Sequence, residues 1–197
     1  MLAALKDATA AVHARVEAAM PSLAEMATPA GYAAALRALH GFHAAWEPAI
    51  WAALSGADAT ALAAHSARKL PLLAADLGAL GVTPADLRAP GADALRGDPA
   101  GALGALYVLE GASLGGRVIL RHVAGPAGMA PGRGASYFHG YGGETGSHWK
   151  AFGQALERAA RAHPAADVIA GAEACFGALE RWLATPGVVH PELASTR

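Results

Sequence analysis

The chain has 197 residues, of which 16% are charged, with 15 Lys and Arg against 16 Asp and Glu. This length suits one domain of ordinary size with a substantial core. The near-neutral balance, without a basic or acidic run, argues against a nucleic-acid partner or a charged partner surface. The apolar stretches are interrupted by His, Glu, Pro or Gly before they reach the length of a membrane span, so we expect no membrane partner.

Neither the N-terminus nor the cysteine content indicates export. The first residues lack the order of basic residues, apolar run and small-residue cleavage site that marks a signal peptide. The single cysteine, Cys175, cannot form an internal disulfide. It lies in an apolar helical pattern, which predicts a small buried hydrophobe. We therefore expect a cytoplasmic protein.

Capping residues and prolines divide the chain into helical segments. The predicted helices, in chain order, are one that ends at Pro21, one over 29–51, a short one with His65, one over 69–80, a short turn from Pro84, one over 99–123, one over 148–162 capped by Ser147, and one over about 164–183. Thr28 and Asp98 each pair an N-cap with a following proline. Gly81 suits a left-handed C-cap. Pro48 is expected to kink or divide its helix.

The remaining sequence gives no indication of a second structural class. Residues 125–147 contain eight glycines and are predicted to form a loop. No stretch shows convincing strand alternation, and there is no internal repeat and no obvious linker. The sequence therefore predicts an all-α fold with a single domain over residues 1–197.

One helical face near the N-terminus carries an unusual set of side chains. Residues at steps of three and four positions share this face, namely Lys6, Thr9 or Ala10, His13 and Glu17. A histidine can bind a metal through one ring nitrogen while a neighbour orients the other, and Glu17 is one turn away. The alternative is a surface stripe with a half-buried histidine.

The predicted helix over 99–123 contains glycines, which normally destabilise a helix. Gly111, Gly115 and Gly116 fall within six residues, and each costs about 1 kcal/mol relative to alanine. Positions 104, 108, 111, 112, 115 and 119 share one side of the helix, which becomes a groove of reachable backbone. Such a groove suits either close packing against another helix or close approach of a flat ligand. A kink is expected at the paired glycines.

These motifs resemble those of a known family. The segment 5–9 with His13 and Glu17 resembles the proximal helix of heme oxygenases, and the run Tyr-Val-Leu-Glu-Gly-Ala-Ser-Leu-Gly-Gly at 107–116 resembles their glycine-rich distal helix. Residues 137–142, followed by Trp149 and Phe152, are similar to the bacterial branch of the family. The resemblance implies a helical heme-oxygenase-like domain with heme between the two helices.

The resemblance also implies roles for residues on the proximal side. His13 would be the axial ligand of the heme iron, and Glu17 would contact its other nitrogen or a bound water. Thr9 belongs to the same heme-binding face. Lys6 would reach a heme propionate, and Lys150 would pair with the second one. Lys150 fits a solvated lysine at a helix start equally well.

On the distal side, the three glycines would let the backbone crowd the heme face and tilt bound dioxygen toward a meso carbon. Many family members carry an aspartate at the position of Ala112, where it orders a water chain that delivers protons. Alanine cannot do this, so Ser113 or Arg117 would have to hold the waters instead.

Three functions remain open at this point. The first is a heme oxygenase that opens heme, its substrate and cofactor, to biliverdin, iron and carbon monoxide. Its dioxygen chemistry would need an external electron donor, such as ferredoxin or a flavoprotein reductase, and a bacteriophytochrome is a candidate acceptor of the biliverdin. The second is a non-catalytic heme carrier or sensor, favoured by Ala112. The third is a helical scaffold without heme.

The other histidines are interpreted as surface residues or satisfied core residues. His40 and His43 lie one turn apart, a spacing that suits a metal, and Glu47 follows four residues after His43. No second carboxylate–histidine set of the di-iron kind accompanies them. The scattered remainder consists of His65, His122, His139, His148, His163 and His190.

Overall fold

The computed structural model describes residues 1–54, 56–84, 86–123 and 128–189. Within these ranges the chain forms nine α-helices and no β-strand, which confirms the predicted all-α class. The helices are α1 (Leu2–Ala19), α2 (Leu23–Met26), α3 (Pro29–Ala53), α4 (Gly56–Ala63), α5 (Leu70–Ala79), α6 (Pro99–Val123), α7 (Ser136–His139), α8 (Thr145–Ala159) and α9 (Ala165–Leu183). Three short 3-10 turns lie at Ala92–Leu95, Gly142–Glu144 and Ala160–Ala162.

The long helices begin and end where the capping residues predict. The Thr28 hydroxyl accepts a hydrogen bond of 3.1 Å from the Gly31 amide at the start of α3. An Asp98 carboxylate oxygen accepts a bond of 2.8 Å from the Gly101 amide at the start of α6. Gly81, after α5, has a φ of +67°, the left-handed conformation of a helix C-cap.

Pro48 does not divide its helix, and the paired glycines do not interrupt theirs; the kinks expected at both places stay predictions. α3 continues through Pro48 to Ala53, and α6 continues across Gly115 and Gly116 to Val123. A proline costs one hydrogen bond of its helix, and glycine costs mainly entropy. Burial of long apolar faces on both helices outweighs these local costs.

Several predicted helix ends are wrong. His65 lies beyond the end of α4 and not inside a helix. α8 begins at Thr145 and not after Ser147, because the preceding 3-10 turn leads directly into it. No helix occurs over 82–84 or 86–91, where a short turn was expected.

The predicted loop over 125–147 is only partly a loop. α7, a 3-10 turn and the first residues of α8 lie within it. Its residues 125–127 lie outside the described part of the chain, as does His190.

α6 crosses α9 at the centre of the fold with backbone against backbone. A Cβ atom on Gly104 would come within 2.5 Å of the Ala172 nitrogen, and one on Gly171 would overlap the backbone of Gly101. Gly104 therefore serves helix packing, the first of the two uses left open by the sequence. Cys175 is fully buried at the same interface, as predicted.

α1 packs on α9 through one apolar stripe. Its buried residues are Leu5, Thr9, Val12 and Val16. This contact turns the neighbouring flank of α1, with His13 and Glu17, toward the second half of α6. A second apolar cluster, between α2, α3, α5 and α7, packs against the C-terminal end of α6.

α6 contains the most apolar long stretch among the described helices. By length and composition alone it could cross a membrane, since one 18-residue window has a mean hydropathy of 1.3. This was not expected from the interrupted apolar pattern. Half of that window is buried inside the fold, and α6 packs against α9, α3 and α7, which is the behaviour of a central core helix.

Candidate functional site

A cleft of about 330 Å³ opens between α1 and the second half of α6. Most of its lining is apolar or aromatic. The α1 side supplies His13, Val16, Glu17 and Met20, the α6 side supplies Tyr107, Val108, Gly111, Ala112, Leu114, Gly115 and Ile119, and Leu39, Tyr137, Phe138, Trp149, Phe176 and Leu179 complete it. Such walls suit a flat, largely apolar ligand.

His13 is the imidazole on the α1 wall. Its side chain is 53% exposed, and its Nδ1 lies 3.8 Å from a Glu17 carboxylate oxygen. The ring meets Phe176 edge-on with centroids 5.5 Å apart. Its Nε2 has no hydrogen-bond partner within the described ranges. One nitrogen thus lies near a carboxylate, beyond hydrogen-bond distance, while the other is free for a ligand.

The remaining residues of the predicted α1 face do not stay together. Thr9 is buried and donates a hydrogen bond of 2.7 Å to the Leu5 carbonyl. Burial raises the pKa of Tyr107 of the cleft wall, against the opposing effect of Thr9. Lys6 is exposed and does not line the cleft. Lys150 is exposed beside Trp149, which does line it.

Two glycines of α6 leave the cleft wall open. A Cβ on Gly115 would meet no atom within 4 Å, and one on Gly111 would meet only the Trp149 ring, at 3.8 Å. The space that two side chains would fill is therefore part of the cleft. The predicted groove side of α6 lines the cleft at positions 108, 111, 112, 115 and 119, but not at 104.

Three residues predicted on the distal side do not line this cleft, and those assignments are corrected. A Cβ on Gly116 would lie 2.5 Å from the Phe138 carbonyl oxygen, so Gly116 is small because α7 packs there. Ser113 points into the protein, where its hydroxyl lies 3.0 Å from the Lys69 ammonium. Arg117 lines a separate depression of about 540 Å³. Residues within one turn of α6 therefore face three different places: α7, the Lys69 ammonium and a separate surface depression.

Behind the cleft, a buried group of charged residues fixes the back of α6. The Lys69 ammonium lies 3.2 Å from a Glu110 carboxylate oxygen, and these side chains are 5% and 2% exposed. Ser66 donates a hydrogen bond of 2.8 Å to Glu110. Lys69 also bonds Ser113, at 3.0 Å, and Tyr141, at 3.3 Å. Burial lowers the pKa of Lys69, although Glu110 opposes that shift.

A second buried chain of polar groups ends at the cleft wall. The Tyr137 hydroxyl lies 3.2 Å from His43 Nε2, and His43 Nδ1 lies 3.3 Å from a Glu47 carboxylate oxygen. His43 is thus a satisfied core histidine, as interpreted from sequence. The neighbouring His40 is buried with its Nδ1 unpartnered among the described residues.

Sequence reasoning missed most of the cleft's aromatic wall. The rings of Tyr107 and Trp149 lie 5.8 Å apart, and Phe176 reaches the cleft from α9. These residues are separated by many positions, so no local pattern indicates that they meet. The i, i+4 pair of His43 and Glu47 inside an apolar helix was the one sequence feature that could have indicated the buried chain.

Fold and site together define an all-α protein with a largely apolar cleft between a histidine-bearing helix and a glycine-bearing helix. A heme fits this arrangement, since its macrocycle is flat and apolar and its iron takes an imidazole nitrogen. The chain belongs to the heme oxygenase family, whose sequence model matches residues 1–185. Comparisons with curated proteins and with solved structures gave no match.

Family membership confirms the resemblance to heme oxygenases. It implies heme binding and suggests an oxidoreductase. Assignment to the bacterial branch stays a prediction.

Proposed function

We propose that this protein is a heme oxygenase that opens heme oxidatively to biliverdin and releases iron and carbon monoxide. The observation that supports this most directly is the shared cleft. A histidine with one unpartnered nitrogen and two glycines with open space line the same apolar walls. The bound heme would be both the substrate and the group that activates dioxygen.

In this proposal His13 binds the iron through Nε2, the nitrogen without a protein partner. Glu17 stabilises the orientation of the ring through Nδ1, directly or through a water. Thr9 is buried under α9 and acts indirectly, through its effect on the pKa of Tyr107 in the wall. Lys6 and Lys150 are proposed to attract the propionates from outside the cleft lining, as mobile exposed cations.

The α6 wall has a different task. Gly111 and Gly115 let a flat ligand approach the helix backbone, and the surrounding aromatic side chains exclude water from its edges. Ala112 contributes no polar group to this wall. The structure supports the two cleft glycines in this role, without Gly116, Ser113 or Arg117.

Electrons are proposed to come from a partner. The chain has one cysteine, whereas an iron–sulfur cluster takes several, and Cys175 is buried. A ferredoxin or a flavoprotein reductase fits this need. A bacteriophytochrome as biliverdin acceptor and a cytoplasmic location remain predictions.

A second candidate is a heme carrier or sensor that does not turn over. Ala112 favours it, because the α6 side of the cleft then has no carboxylate among its lining residues. The two functions share heme binding and differ only in the fate of the heme.

One spectroscopic experiment separates these functions. Hemin is added to the purified protein, followed by ascorbate or a ferredoxin system, while the absorption spectrum is recorded. We expect a Soret band that decays into biliverdin absorbance. A stable Soret band would support the carrier or sensor, and no Soret change would support a scaffold without heme.

The ligand is tested by His13→Ala with His65→Ala as the matched control. His65 lies outside the cleft and outside any helix. We expect His13→Ala to lose the histidine-ligated spectrum at nearly unchanged unfolding midpoint, because the side chain is half exposed. An unchanged histidine spectrum in this variant would assign the iron to another residue.

A further inference from the structure

Tyr137 belongs to the cleft wall and to a buried polar chain at the same time. Its backbone amide donates a hydrogen bond of 2.7 Å to Asp76, and the adjacent Ser136 amide donates one of 2.8 Å to the other Asp76 oxygen. Its ring meets that of Phe138 at 5.1 Å. Backbone, ring and hydroxyl are each held, so this tyrosine is fixed in orientation.

The protons in this chain have one consistent arrangement. Glu47 accepts hydrogen bonds from the amides of Lys69 and Leu70, at 3.0 and 2.9 Å, and from His43 Nδ1. Burial raises the pKa of the Glu47 carboxyl, but these hydrogen bonds outweigh it and lower the pKa. The group is therefore an ionised acceptor, and Nδ1 of His43 carries the hydrogen.

The direction of the next bond follows from this tautomer. Burial lowers the pKa of His43, against the effect of Glu47, so its ring is neutral and Nε2 has a lone pair. The Tyr137 hydroxyl must then donate its hydrogen to His43. Its oxygen keeps only acceptor sites for any other partner.

A phenol whose hydrogen is already donated to His43 resembles a carboxylate in one respect. Both can accept a hydrogen bond from a further partner and have no hydrogen to donate to it. Ala112 lines the same cleft and provides no such group. Among the other residues of the cleft lining, Glu17 is the carboxylate, and it belongs to α1 beside His13. The α6 side thus has no carboxylate, and its one hydroxyl in the cleft lining, that of Tyr107, lies beside Thr9.

We propose that Tyr137, with His43 and Glu47 as positioning residues, accepts a hydrogen bond from a water molecule in the cleft and supplies the acceptor that Ala112 does not. This rests on the proposed function. A water that donates a hydrogen to Tyr137 keeps a lone pair, which would accept a hydrogen from a water molecule bound to the heme. The chain therefore orders a polar site in an otherwise apolar cleft.

The first test needs no heme. Long-range proton–nitrogen NMR of the histidine rings in the unliganded protein should show His43 with hydrogen on Nδ1 and a hydrogen-bonded Nε2. Tyr137→Phe should shift the Nε2 signal toward that of a free acceptor. Tyr141→Phe is the matched control, because Tyr141 bonds Lys69 and the Ala67 amide and does not line the cleft. A His43 with hydrogen on Nε2 would overturn the proposal.

The second test measures the acid–base transition in the spectrum of the ferric hemin complex. A neutral water donates a stronger hydrogen bond than hydroxide, so loss of the acceptor favours hydroxide. Tyr137→Phe should lower the midpoint by on the order of one pH unit, whereas Tyr141→Phe should leave it unchanged. Adding Ala112→Asp to Tyr137→Phe should restore it, because a new carboxylate on the same wall replaces the acceptor.

The outcomes separate the two proposals. Equal midpoints in wild type and both phenylalanine variants, or a wild-type complex without a transition, would make the Tyr137 chain structural only. If hemin is not bound at all, the proposed function fails, and with it the role of Tyr137. If Tyr137→Phe does not fold, Ala112→Asp alone decides: we expect it to change the transition little, since an acceptor is already present, and a shift of a full unit would contradict the proposal.

Discussion

The two sides of α6 differ in what they contact, although they share one short stretch of sequence. On one side, Gly111, Ala112 and Gly115 border open space in the cleft. On the other, Glu110 and Ser113 belong to a buried group of charges. The comparison teaches that this short motif serves two unrelated purposes: its glycines leave space in the cleft, and its polar residues belong to a buried charge group. Only the tertiary neighbours of each position show which purpose it serves.

The largest expected effect comes from the buried side. Lys69→Met leaves the buried Glu110 carboxyl without its cation, which typically costs about 3–5 kcal/mol of unfolding free energy. Urea unfolding measures this loss. Lys150→Met, at an exposed lysine, should cost less than about 0.5 kcal/mol. Equal losses in both variants would show that the buried charge pair does not stabilise the fold.

Two glycine substitutions in the same helix should have opposite signs. Gly104→Ala forces a methyl group into the α9 backbone and should destabilise the protein by about 1–3 kcal/mol. Gly115→Ala meets open space and should stabilise it by up to about 1 kcal/mol. The effect on hemin affinity should be larger at position 115, because Gly115 lines the cleft and Gly104 does not. Gly115→Leu should therefore weaken hemin binding more than Gly104→Ala does. If Gly115→Leu binds hemin normally, the open side of α6 is not the ligand site.

Acid should lower the stability of the fold through its buried histidines. The pKa of His43 is lowered by burial, so between its ordinary value of 6.5 and its folded value the unfolded chain binds the proton that the native chain refuses. Stability therefore falls as the pH falls below 6.5, by at most about 2 kcal/mol at pH 5 from this group. His40, whose pKa is lowered by burial, by Arg88 and by His43, acts in the same direction.

The variant His43→Gln measures how much of the acid-induced loss of stability comes from His43. Urea midpoints are compared at pH 7 and pH 5 for wild type, His43→Gln and the control His65→Gln. We expect a smaller drop in His43→Gln only. The same drop in all three proteins would assign the acid sensitivity to other groups.

The smallest effect concerns an exposed cation near the open side. Lys6→Ala should reduce hemin affinity by about 1 kcal/mol or less, because an exposed charge pair contributes little. Titration at low and high salt checks this, and salt should remove the difference. Its biliverdin isomer ratio should change if a propionate pairs with this lysine. Identical affinity and products would remove Lys6 from the site.

Local chemistry explains which parts of the fold were predictable. Thr28, Asp98 and Gly81 act within four residues of their own position, so their helix ends could be predicted from sequence. Pro48 is different, since its effect depends on how strongly the rest of α3 is buried. The burial of α3 depends on helices distant in sequence, so it cannot be predicted from the residues around Pro48.

The site was predictable only along single helices. The spacing of His13 and Glu17 places them together whatever surrounds them. Thr9 has the same spacing, yet the contact of α1 with α9 buries it. The chain from Glu47 through His43 to Tyr137 joins two residues one helical turn apart to one that is 94 positions further along. Such a meeting is decided by tertiary packing and not by local pattern.

The close crossing of α6 and α9 should also make the two halves of α6 differ in how readily they open. Where Gly101 and Gly104 contact the α9 backbone, there is no room for water, so amide hydrogens there should exchange with solvent only when the whole protein unfolds. Amides around Gly111 and Gly115 border the cleft and can exchange through brief local opening. A ligand in the cleft would slow amide exchange in that second half alone. One continuous helix can thus be rigid where it packs on α9 and still adjust its other half to a bound ligand.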